Sequence, residues 1–120
     1  MADAKPDPEA LLPLQTATFH ILISLAEEEK HGYGIMQDVA SRTAGALKLS
    51  AGTLYRSIQR MLEQGLIIET QERPDPELDD DRRRYYRISK FGIAVARAET
   101  ARLTGVLKLA RASGFAEGKA

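Results

Sequence analysis

At 120 residues, 43% apolar and 28% charged, the chain has material for one compact domain with a core; it is too short for a multidomain enzyme and too apolar for a disordered chain. It contains no cysteine, which excludes disulfides and thiolate metal sites and fits a reducing compartment, so a cytoplasmic location is expected. Its 17 basic and 17 acidic side chains cancel overall but are segregated: residues 1–41 carry two basic and seven acidic groups, residues 42–62 four basic and no acidic ones, and residues 82–111 nine basic groups against Glu99 alone. A chain of zero net charge can therefore still present a positive face to an anionic partner.

In chain order, residues 1–13 set Pro6, Pro8 and Pro13 among acids, which predicts a mobile arm and does not fit a signal peptide. From Leu14 to Glu29, Phe19, Leu22, Ile23 and Ala26 recur at spacings of three and four, predicting an amphipathic helix with His20 buried in it and ended by Glu27–Glu29 and Gly32. The apolar run Ile21-Leu22-Ile23 falls far short of the roughly 20 residues that span a bilayer, so no membrane partner is expected. Tyr33 to Ala44 repeats the helical pattern with Ile35, Met36, Val39 and Ala40, and Gly45 serves as a stop. Ser50 is placed to cap a third helix over about Ala51 to Gln64, closed by Gly65. In that helix Leu54, Ile58, Met61 and Leu62 share one face, while Thr53, Arg56, Gln59, Arg60 and Glu63 lie on the other and are free to hydrogen-bond outward.

Leu66–Gln71 and Arg83–Ile88 are short and rich in β-branched and aromatic residues, which predicts a two-stranded hairpin with the Pro- and Asp-rich stretch Glu72–Asp81 as a long tip. Alternation places Arg83, Tyr85 and Arg87 on one face and Arg84 and Tyr86 on the other, with one tyrosine packed in the core. After the cap at Ser89, Lys90 to Ser113 predicts the longest helix, with Gly105 as a soft spot. Its apolar positions Val95, Ala96, Leu103, Val106, Leu107 and Ala110 form a stripe longer than a three-helix core covers, so a second copy of the chain is expected on it. The organisation expected is an arm (1–13), a DNA-binding domain (14–88), a dimerisation helix (89–113) and a tail (114–120).

Helix, helix, short turn, helix and hairpin is the order of a winged helix-turn-helix, whose third helix enters a major groove while the hairpin touches backbone. Arg56 and Arg60 are four apart on one helical face, where guanidinium groups pair with phosphate or with guanine O6 and N7. Thr53 and Tyr55 sit in the first turn, where helix N–H groups favour phosphate; inward packing of Tyr55 against the first helix is the alternative. At the base of the hairpin Arg82, Arg83 and Arg84 approach phosphate. Pairing with Asp79–Asp81 competes, but exposed pairs are worth only about 0–1 kcal/mol. Catalysis is not expected, and neither is a metal or a cofactor: two histidines and no cysteine leave a zinc site or a triad without parts, and Gly32-Tyr33-Gly34 lacks the strand a dinucleotide fingerprint requires.

His31-Gly32-Tyr33-Gly34-Ile35, Ser50-Ala-Gly-Thr-Leu-Tyr-Arg56, Glu63-Gln-Gly-Leu-Ile67 and Arg82-Arg-Arg-Tyr-Tyr-Arg87, in that order, make a sequence that resembles the PadR family of bacterial regulators over roughly residues 14–112. The resemblance implies a homodimer held by the C-terminal helix, recognition helices presented to two half-sites, and repression relieved by a small effector. It places Ser50, Gly52, Thr53, Tyr55 and Arg56 at the start of the recognition helix and Arg82–Arg84 at the base of the wing. Tyr33 and Gln59 complete the expected DNA contacts. The single C-terminal helix is similar to that of the smaller members, some of which hold flat drugs between interface tryptophans; this chain has no tryptophan. The expectation is thus a mainly α fold with a small β-hairpin, a winged helix-turn-helix plus a long dimerisation helix, bound to approximately palindromic double-stranded DNA. The alternative is a winged-helix interaction module whose positive face docks an acidic protein.

Overall fold

A computed structural model describes residues 6–70 and 84–116. A short 3-10 turn (Pro8–Leu11) leads into α1 (Thr16–Ser24), followed by β1 (Lys30–His31), α2 (Gly32–Arg42), α3 (Ala51–Glu63), β2 (Ile67–Thr70), β3 (Tyr85–Ile88) and α4 (Lys90–Ala112). The three strands form an antiparallel sheet in the order β1-β3-β2. Its register sets Ile67 opposite Ile88 and Glu69 opposite Tyr86, while Lys30 meets Tyr86 from the other side. The predicted helices and hairpin strands are all present with shifted ends; β1 was not predicted, because two residues are too few to show alternation. β1 does place a strand before Gly32-Tyr33-Gly34, but it is a two-residue antiparallel edge and not the parallel strand of a dinucleotide site.

Leu54, Ile58 and Met61 from α3 meet Ile21 and Leu22 from α1 with Leu25 just after it, Ile35 and Val39 from α2, Leu66 just ahead of β2, and Ile67 and Tyr86 from the sheet. Each of these fully buried aliphatic side chains contributes about 1.5–3 kcal/mol through burial, which is the main force holding the helices on the hairpin. α1 is shorter than the Leu14–Glu29 span expected: Leu25 caps it at its C-terminus, and Lys30 is drawn away into the sheet. His20 is half-buried and not fully enclosed. α3 stops at Gly65, whose positive φ is that of a helix C-terminal glycine, whereas α2 turns out of its helix at Ala44 (φ 53), one residue before the stop expected at Gly45, which also has positive φ.

The start of α4 is tied to the end of α3. The Ser89 hydroxyl accepts from Gly92 N–H at 2.9 Å and donates to the Gly65 carbonyl at 2.6 Å, while Ser89 N–H donates to the Leu66 carbonyl at 3.0 Å. Gly92 lies so close to this strand that a methyl group on it would overlap the Leu66 carbonyl oxygen. Farther along, Gly92, Val95 and Glu99 form the buried edge of α4.

Two sequence expectations change here. Residues 6–13 of the expected arm are placed against the body: Leu11, Leu12 and Leu14 pack against the core, and Leu14 N–H donates to the Glu99 carboxylate at 3.2 Å. Prolines and acids dominate this stretch, but its leucines meet the one buried carboxylate on α4, which needs donors. The second correction is Val95, expected at a dimer interface. It is fully buried inside the protomer and belongs to the core, with Ala96 packed partly against it. Leu103, Val106 and Leu107 are exposed as an interface would require, Ala110 is half-buried, and Leu109 and Phe115 are more exposed still, at 71% and 84%.

Candidate nucleic-acid interface

α3 begins where Ser50 caps it: its hydroxyl accepts from Thr53 N–H and donates to the Thr53 hydroxyl, both at 3.1 Å. With Leu54, Ile58 and Met61 turned into the core, Gly52, Tyr55, Arg56, Gln59 and Arg60 are left on the exposed surface and Thr53 at its edge. Among the described residues neither Arg56 nor Arg60 has an ion-pair partner, so both guanidinium groups are available to an anion. Gln59 donates to the Glu63 carboxylate at 3.3 Å, one turn on.

The His31-Gly32-Tyr33-Gly34 motif explains how α3 is held. His31 caps α2, its Nδ1 accepting from Gly34 N–H at 3.0 Å, and its ring meets Tyr85 of β3 edge-on at 5.3 Å. Gly32 is buried, and a Cβ there would collide with the Tyr55 ring and hydroxyl. Tyr55 therefore packs on the start of α2, not on α1, and keeps 44% of its surface open. Tyr33 stands out from the same turn at 61% exposure. The sequence places His31 only in a turn; the cap and the ring contact need the strand pairing that brings β3 alongside, which no local spacing shows.

On the wing, Arg84 pairs with Glu69 across the strands at 3.5 Å, so it is partly occupied within the protein. Such a half-exposed pair is weak enough, about 0–1 kcal/mol, to yield to a polyanion. Arg82, Arg83 and the acidic tip 75–81 lie outside the described residues. Tyr86 is the tyrosine that enters the core; burial, with Glu69 beside it, raises its phenol above the usual range. Between α3 and the wing runs a groove of about 550 Å³ floored by Ile58 and Leu62 and rimmed by Tyr55, Glu69 and Arg84. Among the described residues there is no group of three or more His, Cys, Asp or Glu side chains that could hold a metal, and no helix is long and apolar enough to cross a membrane.

A capped, outward-facing third helix beside a three-stranded antiparallel wing defines a winged helix-turn-helix protein. The chain belongs to the transcriptional regulator PadR-like family, which it matches over residues 21–98. These proteins are transcription regulators and not enzymes. An uncharacterised protein from Lysinibacillus sphaericus is 35% identical over 74 residues, which span 62% of this chain and 65% of that protein. The fold is shared with a transcriptional regulator from Clostridium thermocellum (TM-score 0.68, 24% identity, 79% of this chain and 86% of that one). It is also shared with a PadR family transcription regulator from Clostridium difficile (0.67, 21%, 81% and 96%). A PadR family transcriptional regulator from Eggerthella lenta aligns at 25% identity with a TM-score of 0.60, over 85% of this chain and 83% of that one.

Proposed function

We propose that the protein is a homodimeric repressor that binds approximately palindromic double-stranded DNA and is released from it by a small effector. The observation that carries the reading is the outer face of α3, where Arg56 and Arg60 stand exposed and, among the described residues, unpaired beside Gln59 on a helix anchored by core contacts on its other side. A two-fold axis would set two such helices about 34–36 Å apart, in successive major grooves. Arg56 and Arg60 then read guanine edges or clamp phosphate, Thr53, Tyr55 and Tyr33 border the groove, and the wing arginines hold phosphate.

Support for the dimer comes from two complementary surfaces. The far half of α4 exposes Leu103, Val106, Leu107 and Leu109. Along its near half runs an apolar groove of about 530 Å³ formed by Phe19, Leu22 and Ile23 of α1 with Ile93 and Ala96 of α4. Each copy would lay its far half in the groove of the other, burying both at once.

Selection of bound sequences from a random duplex pool, followed by footprinting and sedimentation, tests the reading. The expected result is a dyad-symmetric footprint by a dimer. A monomer at micromolar concentration, or a footprint without dyad symmetry, overturns it. Arg60→Ala is expected to weaken operator binding by about tenfold and to relax base preference at one position in each half-site. The effector is then defined as the small molecule that lowers operator affinity in the same assay.

A further inference from the structure

On the side of α3 away from the wing, a second groove of about 440 Å³ separates the recognition helix from the start of α1. Its walls are Thr53, Arg56, Ser57 and Arg60 from α3, Thr18 from α1 and Gln15 just ahead of it. The nine-residue α1 starts without a side-chain cap and without an acid in its first turn. The N–H groups of Thr16, Ala17 and Thr18 thus lack the intrahelical acceptors that later turns enjoy, and the positive end of the helix is not neutralised. Thr18 adds an independent sign. It is 94% buried, it lines this groove, and among the described residues its hydroxyl has no hydrogen-bond partner. The acid on the walls, Glu63, is one turn beyond Arg60 and receives the Gln59 amide.

We infer that this groove is a phosphate seat for DNA: the first turn of α1, the Thr18 hydroxyl and the Arg56 guanidinium clamp one backbone phosphate of each half-site, fixing how far α3 enters the groove and leaving Arg60 to the bases. The inference rests on the DNA-binding reading above and adds α1 to an interface otherwise built from α2, α3 and the wing. Phosphate contacts carry no base information but set the register in which the base-reading side chains act. Its guanidinium and backbone N–H donors outnumber the one carboxylate on its walls, that of Glu63, which suits an oxyanion.

Two variants of the full-length protein test it, on the selected operator. Thr18→Val keeps shape and removes only the hydroxyl; operator affinity is expected to fall about fivefold. Thr16→Glu places an acid at the exposed first residue of α1, where it favours the helix but repels phosphate. It is expected to bind about tenfold more weakly while melting at the same temperature as the parent or above it. Neutral methylphosphonates placed one at a time along the operator locate the contact: at one position per half-site the parent loses affinity and Thr18→Val loses no more. If both variants bind like the parent and every methylphosphonate acts equally on both proteins, the α1 seat is overturned while the DNA reading stands. If the parent binds no duplex even at low salt, both fall together.

Discussion

The two halves of α4 are built from the same kinds of residue and serve opposite ends. In the near half, Gly92, Val95 and Glu99 follow one another at three and four residues and are buried against the hairpin end, α1 and the N-terminal turn. In the far half, Leu103, Val106, Leu107 and Leu109 are 39%, 48%, 45% and 71% exposed. Helical periodicity of apolar residues identifies a face that needs covering; it does not say whether the cover comes from the same chain or from another. The change-over falls at Arg102, whose guanidinium makes two hydrogen bonds to Glu99, at 2.7 and 2.9 Å, and so closes the protomer's core at the last buried turn.

The difference between the halves gives a graded set of outcomes. The largest is expected from the far half: Val106→Glu with Leu107→Glu should weaken the proposed self-association by at least about 100-fold, because charges would enter an apolar seam. Circular dichroism should show an intact fold in the resulting monomer; loss of fold would mean that this half is core after all. Next is Gly92→Ala in the near half. The added methyl meets the Leu66 carbonyl and the Ile88 side chain, so denaturant titration should show a loss of about 1–3 kcal/mol in monomer stability.

A smaller effect, and one that depends on pH, is expected at Glu99. Hydrogen bonds from Arg102 hold its carboxyl below the usual range, assisted by Leu14 N–H and against the opposite pull of burial. A carboxyl lowered in the folded state stabilises the fold fully above its ordinary value, and that contribution is lost as pH falls through the folded one. Stability of the parent should therefore decline on acidification below about pH 4.5, and Glu99→Gln should flatten this limb. An unchanged acid limb would show that the N-terminal turn is not held through Glu99. The smallest effect is expected at Gly105, where a methyl group meets nothing within 4 Å. Gly105→Ala should raise helix stability by about 0.5–1 kcal/mol, and a loss instead would reveal a close neighbour in the proposed dimer.

The parts of the molecule governed by local chemistry are legible in the order of the residues alone. Ser50 and Ser89 cap α3 and α4, Gly65 ends α3, and Leu54, Ile58 and Met61 turn inward so that Arg56, Gln59 and Arg60 turn outward. All of these depend on neighbours within a turn or two, where spacing and side-chain type suffice. The features that escape such a reading join distant segments. They are the two-residue β1 on β3, Tyr55 against Gly32, the leucines of the N-terminal turn on α4, the donation from Leu14 to Glu99 across 85 residues, and the burial of Val95 in place of its exposure. Residue order alone says which faces are apolar and which are charged. Which apolar face is covered within the chain and which polar groups meet follow from the packing in three dimensions, because those choices depend on how the elements are stacked and not on the order in which they are written.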